Sequence, residues 1–550
     1  MLNIYRSRES LDKESFIYGK IKESRKETLV IVPDQYTLVA EQQAMSRMDT
    51  DVLLDVEISA ISKFGSNVLE ETGRSPHTYI DEYGRYMLLY KILSEQKDRL
   101  EVFGGVVQKQ GFLESINDFI SKAKQANLDI QTVIDSMDDE ASEVDELTRR
   151  KLSDIKLIFD EYEDSIRDKY TDAEDLLRLY AAGIDMAESL KRKTVWIYGF
   201  DSFTNRNLEM LAAIIRQAEE VNIFFTYDEH CKDEEIFEIT GNMSDRLIDL
   251  CKESNVEFKV HNLSKDSPHA KLCERALGIK AIEKSLFSPF NEEGLEAKGI
   301  KIVRANNIYS EAESAASFVL DLLEEKKLRY KDIVVICNET KRAEVLKRVF
   351  QEYGIGIFTD KKRAIASSPI AVFVVSLIEA VSGSMRTLDV FRVIKTGFIG
   401  IDEEDVDFIE NYAIKYKVRG NQWYSPFTKG AFEYGDDGLA RLNEIREQIA
   451  GVFDGFKKIY KSSKTNKEFI EAYVDFLINK AEIGSRIDEL VESLSSHSMQ
   501  SKADETTQTW PMLISAFEQI IELMGNERFS GKTFAAILTA GLLQMEVGVV

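Results

Sequence analysis

The sequence has few cysteines, few prolines and no long hydrophobic run, and each shortage narrows the class of protein. The cysteines Cys231, Cys251, Cys273 and Cys337 match no disulfide or zinc-binding spacing, so we interpret each as an isolated thiol. Only 7 prolines occur in 550 residues, which permits long uninterrupted helices. No apolar run approaches the roughly 18 residues of a membrane span, and no charged-then-apolar leader is present, which predicts a cytoplasmic protein.

Positive charge is also scarce. The formal net charge is −25, which argues against an extensive surface for polyanions, so any contact with DNA must come from a local basic patch. Hydrophobic residues make up 44% and charged residues 30%, which is typical of a globular protein. A chain of 550 residues is too long for one core, and roughly three or four domains are expected.

The chain begins with the layout of a nucleotide-binding unit whose phosphate-binding loop has the wrong residues. A strand-like run at 2–5 leads into a loop and a helical pattern, where an active unit has G-x-x-x-x-G-K-[ST]. Lys13 remains, but Ser7 and Asp12 replace the glycines and Glu14 replaces the hydroxyl residue that binds magnesium. Only glycine lets backbone N–H groups close around phosphates, and carboxylates repel them. An ordinary strand-to-helix turn that never bound a nucleotide is the alternative.

The second half of a nucleotide site fails as well. Thr194 to Tyr198 has the pattern of a strand, and active P-loop helicases end the corresponding strand with Asp-Glu for magnesium and water. Here Gly199 and Phe200 follow the strand, and Asp201 comes too late. Both halves together indicate an inactivated motor domain.

Three sequence runs, in order along the chain, resemble the B-subunit family of the AddAB (RexAB) helicase–nuclease. They are Val-Pro-Asp-Gln-Tyr-Thr at 32–37, Gly-Phe-Asp-Ser-Phe-Thr at 199–204, and Val-Phe-Arg-Val-Ile-Lys-Thr-Gly at 390–397 with Glu-Asn-Tyr at 410–412. The resemblance covers essentially all 550 residues. The family's chains continue well beyond this length, so the resemblance implies an N-terminal fragment whose last run, 545–550, is an interrupted strand held loosely.

Strand and helix patterns along the chain, read with this resemblance, predict an α/β fold. It comprises two P-loop helicase-like parallel-sheet domains of the superfamily 1 type, both inactivated, each with a mostly helical insertion. Strands at 300–304, 333–336 and 354–358 are expected in the second domain. The predicted bounds are 1–79 with 190–260 for the first α/β domain, 80–189 for its insertion, 261–298 for a linker, 299–384 for the second α/β domain, resumed near 530–550, and 385–530 for its insertion.

The resemblance implies a function in the repair of double-strand breaks by recombination. In that reading the chain binds single- and double-stranded DNA and scans the 3′-ended strand for a hotspot sequence, while an A subunit hydrolyses ATP and pulls the strand. An iron–sulfur cluster and magnesium are implied for a C-terminal nuclease domain beyond this sequence, and no cofactor is expected in the residues present. An active superfamily 1 helicase and a purely structural scaffold are the alternatives.

The first candidate DNA contacts follow two neighbouring strands. Gln35 and Thr37 come just after one strand, and Ser62 and Lys63 just after the next. In open α/β sheets ligands bind outside the carboxyl ends of the strands, and these side chains can reach bases or phosphates. Residue type alone favours Thr37 as a helix cap and Gln35 as a solvated side chain. The family resemblance implies instead that this segment contacts the scanned strand.

Other candidates are single cations, aromatic rings that could stack on bases, and a polar loop in the second half of the chain. They are Lys122, Lys124, Phe200, Phe203, Lys395 and Thr396. An exposed helical lysine is usually only solvated, and the two phenylalanines fit core packing equally well. Trp423 fits a packing anchor or a base platform.

Overall fold

The structure is a computed structural model that describes residues 1–548 except 9, 75, 108, 138–144, 229–233, 265, 274, 286–297, 359–361 and 498. It divides into two compact units, each built from several stretches of chain. The first unit contains 1–77, 123–128 and 173–357. The second contains 78–122, 129–172 and 358–550.

The strands of the described residues are mostly short and are separated by helices. They are β1 (Leu2–Ser7), β2 (Thr28–Val32), β3 (Val56–Ala60), β4 (Thr78–Tyr79), β5 (Tyr170–Thr171), β6 (Thr194–Ile197), β7 (Glu220–Thr226), β8 (Phe258–Asn262), β9 (Lys362–Ala364) and β10 (Glu546–Gly548).

The helices account for most of the described chain. They are α1 (Lys13–Ser24), α2 (Thr37–Met48), α3 (Ile61–Thr72), α4 (Glu82–Gln96), α5 (Gln110–Ala126), α6 (Ile130–Met137), α7 (Glu146–Ile166), α8 (Ala173–Ile184), α9 (Asn205–Gln217), α10 (Glu238–Glu253), α11 (Leu277–Ser285), α12 (Ile308–Lys326), α13 (Thr340–Glu352), α14 (Pro369–Ser382), α15 (Thr387–Ile394), α16 (Glu403–Tyr416), α17 (Ala431–Ser462), α18 (Asn466–Asn479), α19 (Ile483–Ser496), α20 (Gln500–Met524) and α21 (Gly531–Leu542).

The first unit is organised around a six-stranded parallel sheet of order β3-β2-β6-β7-β1-β8. Strand β2 reads Thr-Leu-Val-Ile-Val and is buried throughout, as expected for a strand covered on both faces. Leu29 and Ile31 join the core formed with α3, α8, α9 and α10, whereas Val30 and Val32 pack towards α1 and α2. This confirms that the strands at 194–197 and 220–226 rejoin the sheet begun by β1 and β2.

All six strands run in the same direction, so their carboxyl ends lie at one edge of the sheet. We call this the carboxyl edge. Strand β8 was not predicted, because its sequence Phe-Lys-Val-His-Asn is largely polar and it lies at the outer side of the sheet beside β1. The predicted linker at 261–298 lies partly outside the described residues, and its described part includes the end of β8 and α11.

The prediction of a second parallel sheet is wrong for the described residues. Segments 300–304, 333–336 and 354–358 form no strand, and Ile302 and Ile336 are 92% and 89% exposed. Helices α12 and α13 pack on each other through a small apolar cluster. Strand-like composition produces a strand only where a neighbouring strand supplies the ladder, and here no described segment does so.

The second unit is helical and has the larger core. Helix α14 is buried over most of its length, and it packs on α15, α17, α20 and α21. Helices α4 and α7 pack in the same unit, with α4 also contacting α20 and α21. The compact units therefore differ from the predicted domain bounds, because most of 80–172 joins the helical segment after 358.

The last described residues form a paired strand, whereas we predicted an interrupted one. Strand β10 pairs with β9 in an antiparallel ladder, and Val547 is almost fully buried. This pairing places 546–548 in the helical unit and not with 299–357. Among the described helices, none is long and apolar enough to cross a membrane.

Candidate nucleic-acid interface

The start of α1, where a phosphate would bind in an active P-loop, is occupied by the chain's own carboxylate. Asp12 is the N-cap residue, and its Oδ1 and Oδ2 accept hydrogen bonds from the backbone N of Ser15 at 2.9 Å and from Ser15 Oγ at 2.8 Å. The guanidinium of Arg47, on α2, lies 3.0 Å from Oδ2. A helix N-terminus attracts one anion, and here an ion-paired carboxylate already satisfies it.

The loop before α1 is extended instead of curled. Leu11 pairs with Leu272 in an antiparallel bridge. The N–H of Asp12 donates to the carbonyl of Lys271 at 2.7 Å, and the N–H of Cys273 donates to the carbonyl of Ser10 at 2.8 Å. A phosphate cradle needs converging free N–H groups. The N–H groups of Asp12 and Ser15 both have acceptors within the protein, so neither is available to a phosphate in this structure.

At position 14, where an active P-loop has a magnesium-binding hydroxyl, the side chain is a carboxylate with a partner of its own. The Glu14 carboxylate accepts a hydrogen bond from Tyr36 Oη at 3.0 Å. Burial, together with the negative charge of Glu14, raises the pKa of Tyr36 to about 12, so the phenol stays a donor. Lys13 is half-buried at the first turn of α1, and its interpretation as a non-functional remnant of a phosphate loop stays a prediction.

The carboxyl end of β6 has aromatic side chains where an active motor has acids. The hydroxyls of Tyr198 and Tyr18 lie 3.0 Å apart in the core beside α1. Gly199 has a φ of +87°, and a β-carbon there would lie 3.0 Å from Cδ of Pro33. A turn this close to a proline ring favours glycine and leaves no carboxylate to face the phosphate loop.

Four predicted DNA contacts do lie together at the carboxyl edge. Strands β2 and β3 are neighbours, with Val32 opposite Ala60, so the turns that follow them are adjacent. Gln35 and Lys63 are exposed, and Lys63 has no ion-pair partner among the described residues. We call Gln35, Thr37, Ser62 and Lys63 the edge cluster.

Hydrogen bonds to Asp34 fix the shape of the edge cluster. Ser62 Oγ donates to Asp34 Oδ1 at 2.7 Å, which ties the two turns together. Thr37 Oγ1 donates to the carbonyl of Asp34 at 3.1 Å and caps no N–H group of α2. The helix-cap alternative for Thr37 is therefore wrong. Gln35 has no side-chain hydrogen-bond partner among the described residues, so its amide can donate and accept at once, as a base edge requires.

Two predicted contacts are corrected by burial. Lys124 is 5% exposed and forms a 2.7 Å ion pair with Asp175, because it lies on the inner face of its helix. Phe203 is 4% exposed and packs on Phe200, with ring centroids 5.2 Å apart, above the core of the sheet. Neither side chain can meet DNA in this structure, whereas Phe200 stays half-exposed at the edge.

The remaining candidates lie in the helical unit or at its boundary. Lys122 is 78% exposed, with Asp118 at 4.0 Å. Lys395 pairs with Glu410 at 2.7 Å, and Thr396 Oγ1 donates to the carbonyl of Val393 at 2.6 Å, so both are engaged within the protein. Trp423 is fully buried, which identifies it as a packing anchor.

Sequence reasoning missed Asp34 and Arg47. Asp34 lies inside the motif that predicted Gln35, but its link to Ser62 depends on β2 and β3 being neighbours. Arg47 is separated from Asp12 by all of α1, strand β2 and most of α2. The available signal in the sequence was that Arg47 is a basic residue near the C-terminal end of α2, a position that favours positive charge.

Comparison with known proteins agrees with the resemblance seen in the sequence. The family model described as "ADDB, N-terminal" matches residues 5–276. A Clostridium perfringens (strain SM101 / Type A) protein, named as the B subunit of an ATP-dependent helicase/deoxyribonuclease, is 31% identical over 100% of this chain and 49% of its own length. A protein of the same name from Thermoanaerobacter sp. (strain X514) is 29% identical, over 97% of this chain and 47% of its own length.

The chain spans about half the length of the curated relatives that it matches. The match to the family model covers the whole carboxyl edge, from β1 to β8, and the loop that Asp12 closes. The chain belongs to the ADDB family, the B subunits of ATP-dependent helicase/deoxyribonucleases.

Proposed function

We propose that this chain is the DNA-receiving, motor-inactive part of a helicase–nuclease B subunit. The observation that carries the proposal is that the start of α1 and the edge cluster differ, although both lie at the carboxyl edge of one sheet. The start of α1 is filled by Asp12 and Arg47, whereas the edge cluster a few strands away is exposed and open. An inactivated P-loop unit of this kind keeps the surface that binds a DNA strand and loses the site that binds ATP.

In the complex, a partner A subunit hydrolyses ATP and drives the 3′-ended strand across this edge, where the strand is scanned for a hotspot sequence during double-strand-break repair. The relatives are named as a subunit of an ATP-dependent helicase/deoxyribonuclease, which supports the proposal of a partner subunit and a DNA substrate. Lys63 contacts a phosphate, and Gln35 reads a base.

The family's iron–sulfur cluster and magnesium have no role in this proposal. Among the described residues, no group of three or more His, Cys, Asp or Glu could hold a metal ion. Cys251 is buried, Cys273 half-buried and Cys337 exposed, and Cys231 lies outside the described residues. We assign no catalytic step to these residues.

Lys63→Ala should weaken single-stranded DNA binding for every sequence alike, because a phosphate contact carries no sequence information. We expect the slope of log affinity against log salt to flatten by about 1. Gln35→Ala should change the preference among oligonucleotides more than the mean affinity. Fluorescence anisotropy with labelled oligonucleotides over a salt series measures both.

Lys26→Ala is the control for the loss of a lysine elsewhere on the sheet unit, because Lys26 is exposed just before the amino end of β2, at the opposite edge of the sheet, where it pairs with Glu219 at 2.7 Å. It should leave binding unchanged. Equal effects of the Lys63 and Gln35 changes on all oligonucleotides would contradict the two roles. A wild-type chain that binds no single strand at low salt would favour the structural scaffold.

The chain should show no saturable, magnesium-dependent binding of labelled ATP at micromolar concentrations. The physical reason is that the Asp12 carboxylate already occupies the helix N-terminus, where it accepts from the N–H of Ser15 and pairs with Arg47. Lys13→Ala should therefore change nothing in an equilibrium-dialysis measurement. Saturable binding that Lys13→Ala abolishes would restore the active-helicase alternative.

A further inference from the structure

The helical unit contains two stretches without any acidic residue, in a chain whose net charge is −25. Residues 411–432 carry Lys415, Lys417, Arg419 and Lys429 and no Asp or Glu. Residues 455–467 carry lysines at 457, 458, 461, 464 and 467, again with no Asp or Glu. Such clustering against the overall charge is the electrostatic signature of a polyanion contact.

The fold brings the two stretches together. The turn at 420–424 packs on α17, where Arg446 Nη1 donates to the carbonyl of Trp423 at 3.3 Å. Three helical turns further along α17, Lys457 Nζ lies 4.9 Å from the ring centroid of Tyr424. Lys461 follows at the next turn on the same face of α17. We call Lys417, Arg419, Lys429, Lys457, Lys461 and Lys464 the basic patch.

The charges of the basic patch are not neutralised within the protein. Ion pairs occupy the neighbouring lysines, since Lys415 contacts Glu433 and Lys458 lies 2.9 Å from Asp454. In the part of the chain that the structure describes, no carboxylate forms an ion pair with any member of the basic patch. All of its members are exposed except Lys457, which lies over Tyr424 and is half-buried.

Most aromatic rings of this region are used for packing, and Phe432 is the exposed exception. Trp423 is fully buried, and Tyr460 packs against Phe456 and Phe529. Binding of unpaired bases relies on exposed rings, whereas lysines and arginines alone contact phosphates without reading sequence.

We propose that the basic patch binds the phosphate backbone of duplex DNA. This contact is separate from the edge cluster, which receives a single strand in the other compact unit. Duplex DNA carries one negative charge per about 1.7 Å of its axis, so several cations on one surface each displace condensed counterions. The basic patch is a local positively charged surface through which an acidic chain binds the duplex that the complex unwinds.

The test compares two triple variants of the whole chain with the same change in charge. K457Q/K461Q/K464Q removes half of the basic patch, and K97Q/K480Q/K502Q removes three exposed lysines elsewhere in the helical unit. Binding of a blunt-ended duplex is measured by anisotropy from about 50 to about 200 mM salt. We expect the patch variant to lose roughly 10- to 100-fold in affinity at about 0.1 M salt, with a slope reduced by about 2 to 3.

The control triple variant should bind the duplex like the wild type, and both variants should keep the wild-type melting temperature. Single-strand binding through Lys63 and Gln35 should be unchanged in the patch variant, which separates this proposal from the proposed function. A wild-type chain that binds no duplex, or equal losses in both triple variants, would overturn the duplex assignment.

Two further outcomes assign the patch to another partner and overturn the proposal. Phe432 is a fully exposed ring beside Glu433, and it could stack on a base. If Phe432→Ala and the patch variant both weakened single-strand binding, the patch would serve a single strand. If polyglutamate displaced the duplex as well as unlabelled duplex does at equal charge, the patch would fit an acidic protein segment.

Discussion

Asp154→Ala should lower the free energy of unfolding of the helical unit by about 3–5 kcal/mol, because it removes one acceptor that serves three donors. The Asp154 carboxylate is 3% exposed and accepts hydrogen bonds from the backbone N–H groups of Glu101, Val102 and Phe103 at 2.9, 2.8 and 2.9 Å. An alanine leaves these partly buried donors without a partner. Urea unfolding followed by circular dichroism measures the change.

Two companion variants give this prediction its controls. Asp160→Ala, on the same helix but exposed, should change the free energy by less than about 0.5 kcal/mol. Asp154→Asn keeps one acceptor oxygen and should fall between Asp154→Ala and the wild type. The chain has two compact units, so only the transition that belongs to the helical unit should move. A loss below about 1 kcal/mol in Asp154→Ala would show that water replaces the carboxylate.

Gly65→Ala should destabilise the sheet unit by about 1–3 kcal/mol and also weaken single-strand binding. Gly65 is the point where α3 packs on α8, and a β-carbon there would lie 2.3 Å from Cδ2 of Tyr180. The Tyr180 ring is buried, and its hydroxyl lies 3.2 Å from Ser66 Oγ. Because the ring is buried, we expect α3 to shift, and α3 carries Ser62 and Lys63.

The control is Gly484→Ala in α19, where a β-carbon would contact nothing within 4 Å. Replacing an exposed helical glycine there should stabilise the protein by up to about 1 kcal/mol. Thermal unfolding and anisotropy with a labelled single strand measure both variants. Unchanged DNA affinity in a destabilised Gly65→Ala protein would show that the edge cluster does not depend on the position of α3.

The sequence predicted β2 and β6 well because both are short, mostly apolar runs. Strand β2 is buried on both faces, and this pattern has few other interpretations at five residues. The same reasoning failed at 300–304 and 333–336, where equally apolar runs have no neighbouring strand. Composition reports a preference for extended backbone, whereas a sheet requires a partner that only tertiary structure supplies.

The candidate site was predicted where it depends on strand ends and missed where it depends on side-chain direction. The edge cluster follows from β2 and β3 being parallel neighbours, which a strand-and-helix alternation indicates. The inward orientation of Lys124 towards Asp175 depends on how its helix packs, and one residue's type does not reveal that. The tie between Asp12 and Arg47 joins two helices and is equally invisible in a local pattern.

The closure of the loop before α1 means that a substitution at position 12 alone would not reopen it. Replacing Asp12 by glycine would remove the helix cap and leave Arg47 without its counterion, while Leu11 would stay bridged to Leu272. The first two changes lower stability, and the third keeps the loop extended. Under the proposed function, several independent contacts close this edge of the sheet to ATP, so the strand ends beside it serve DNA alone.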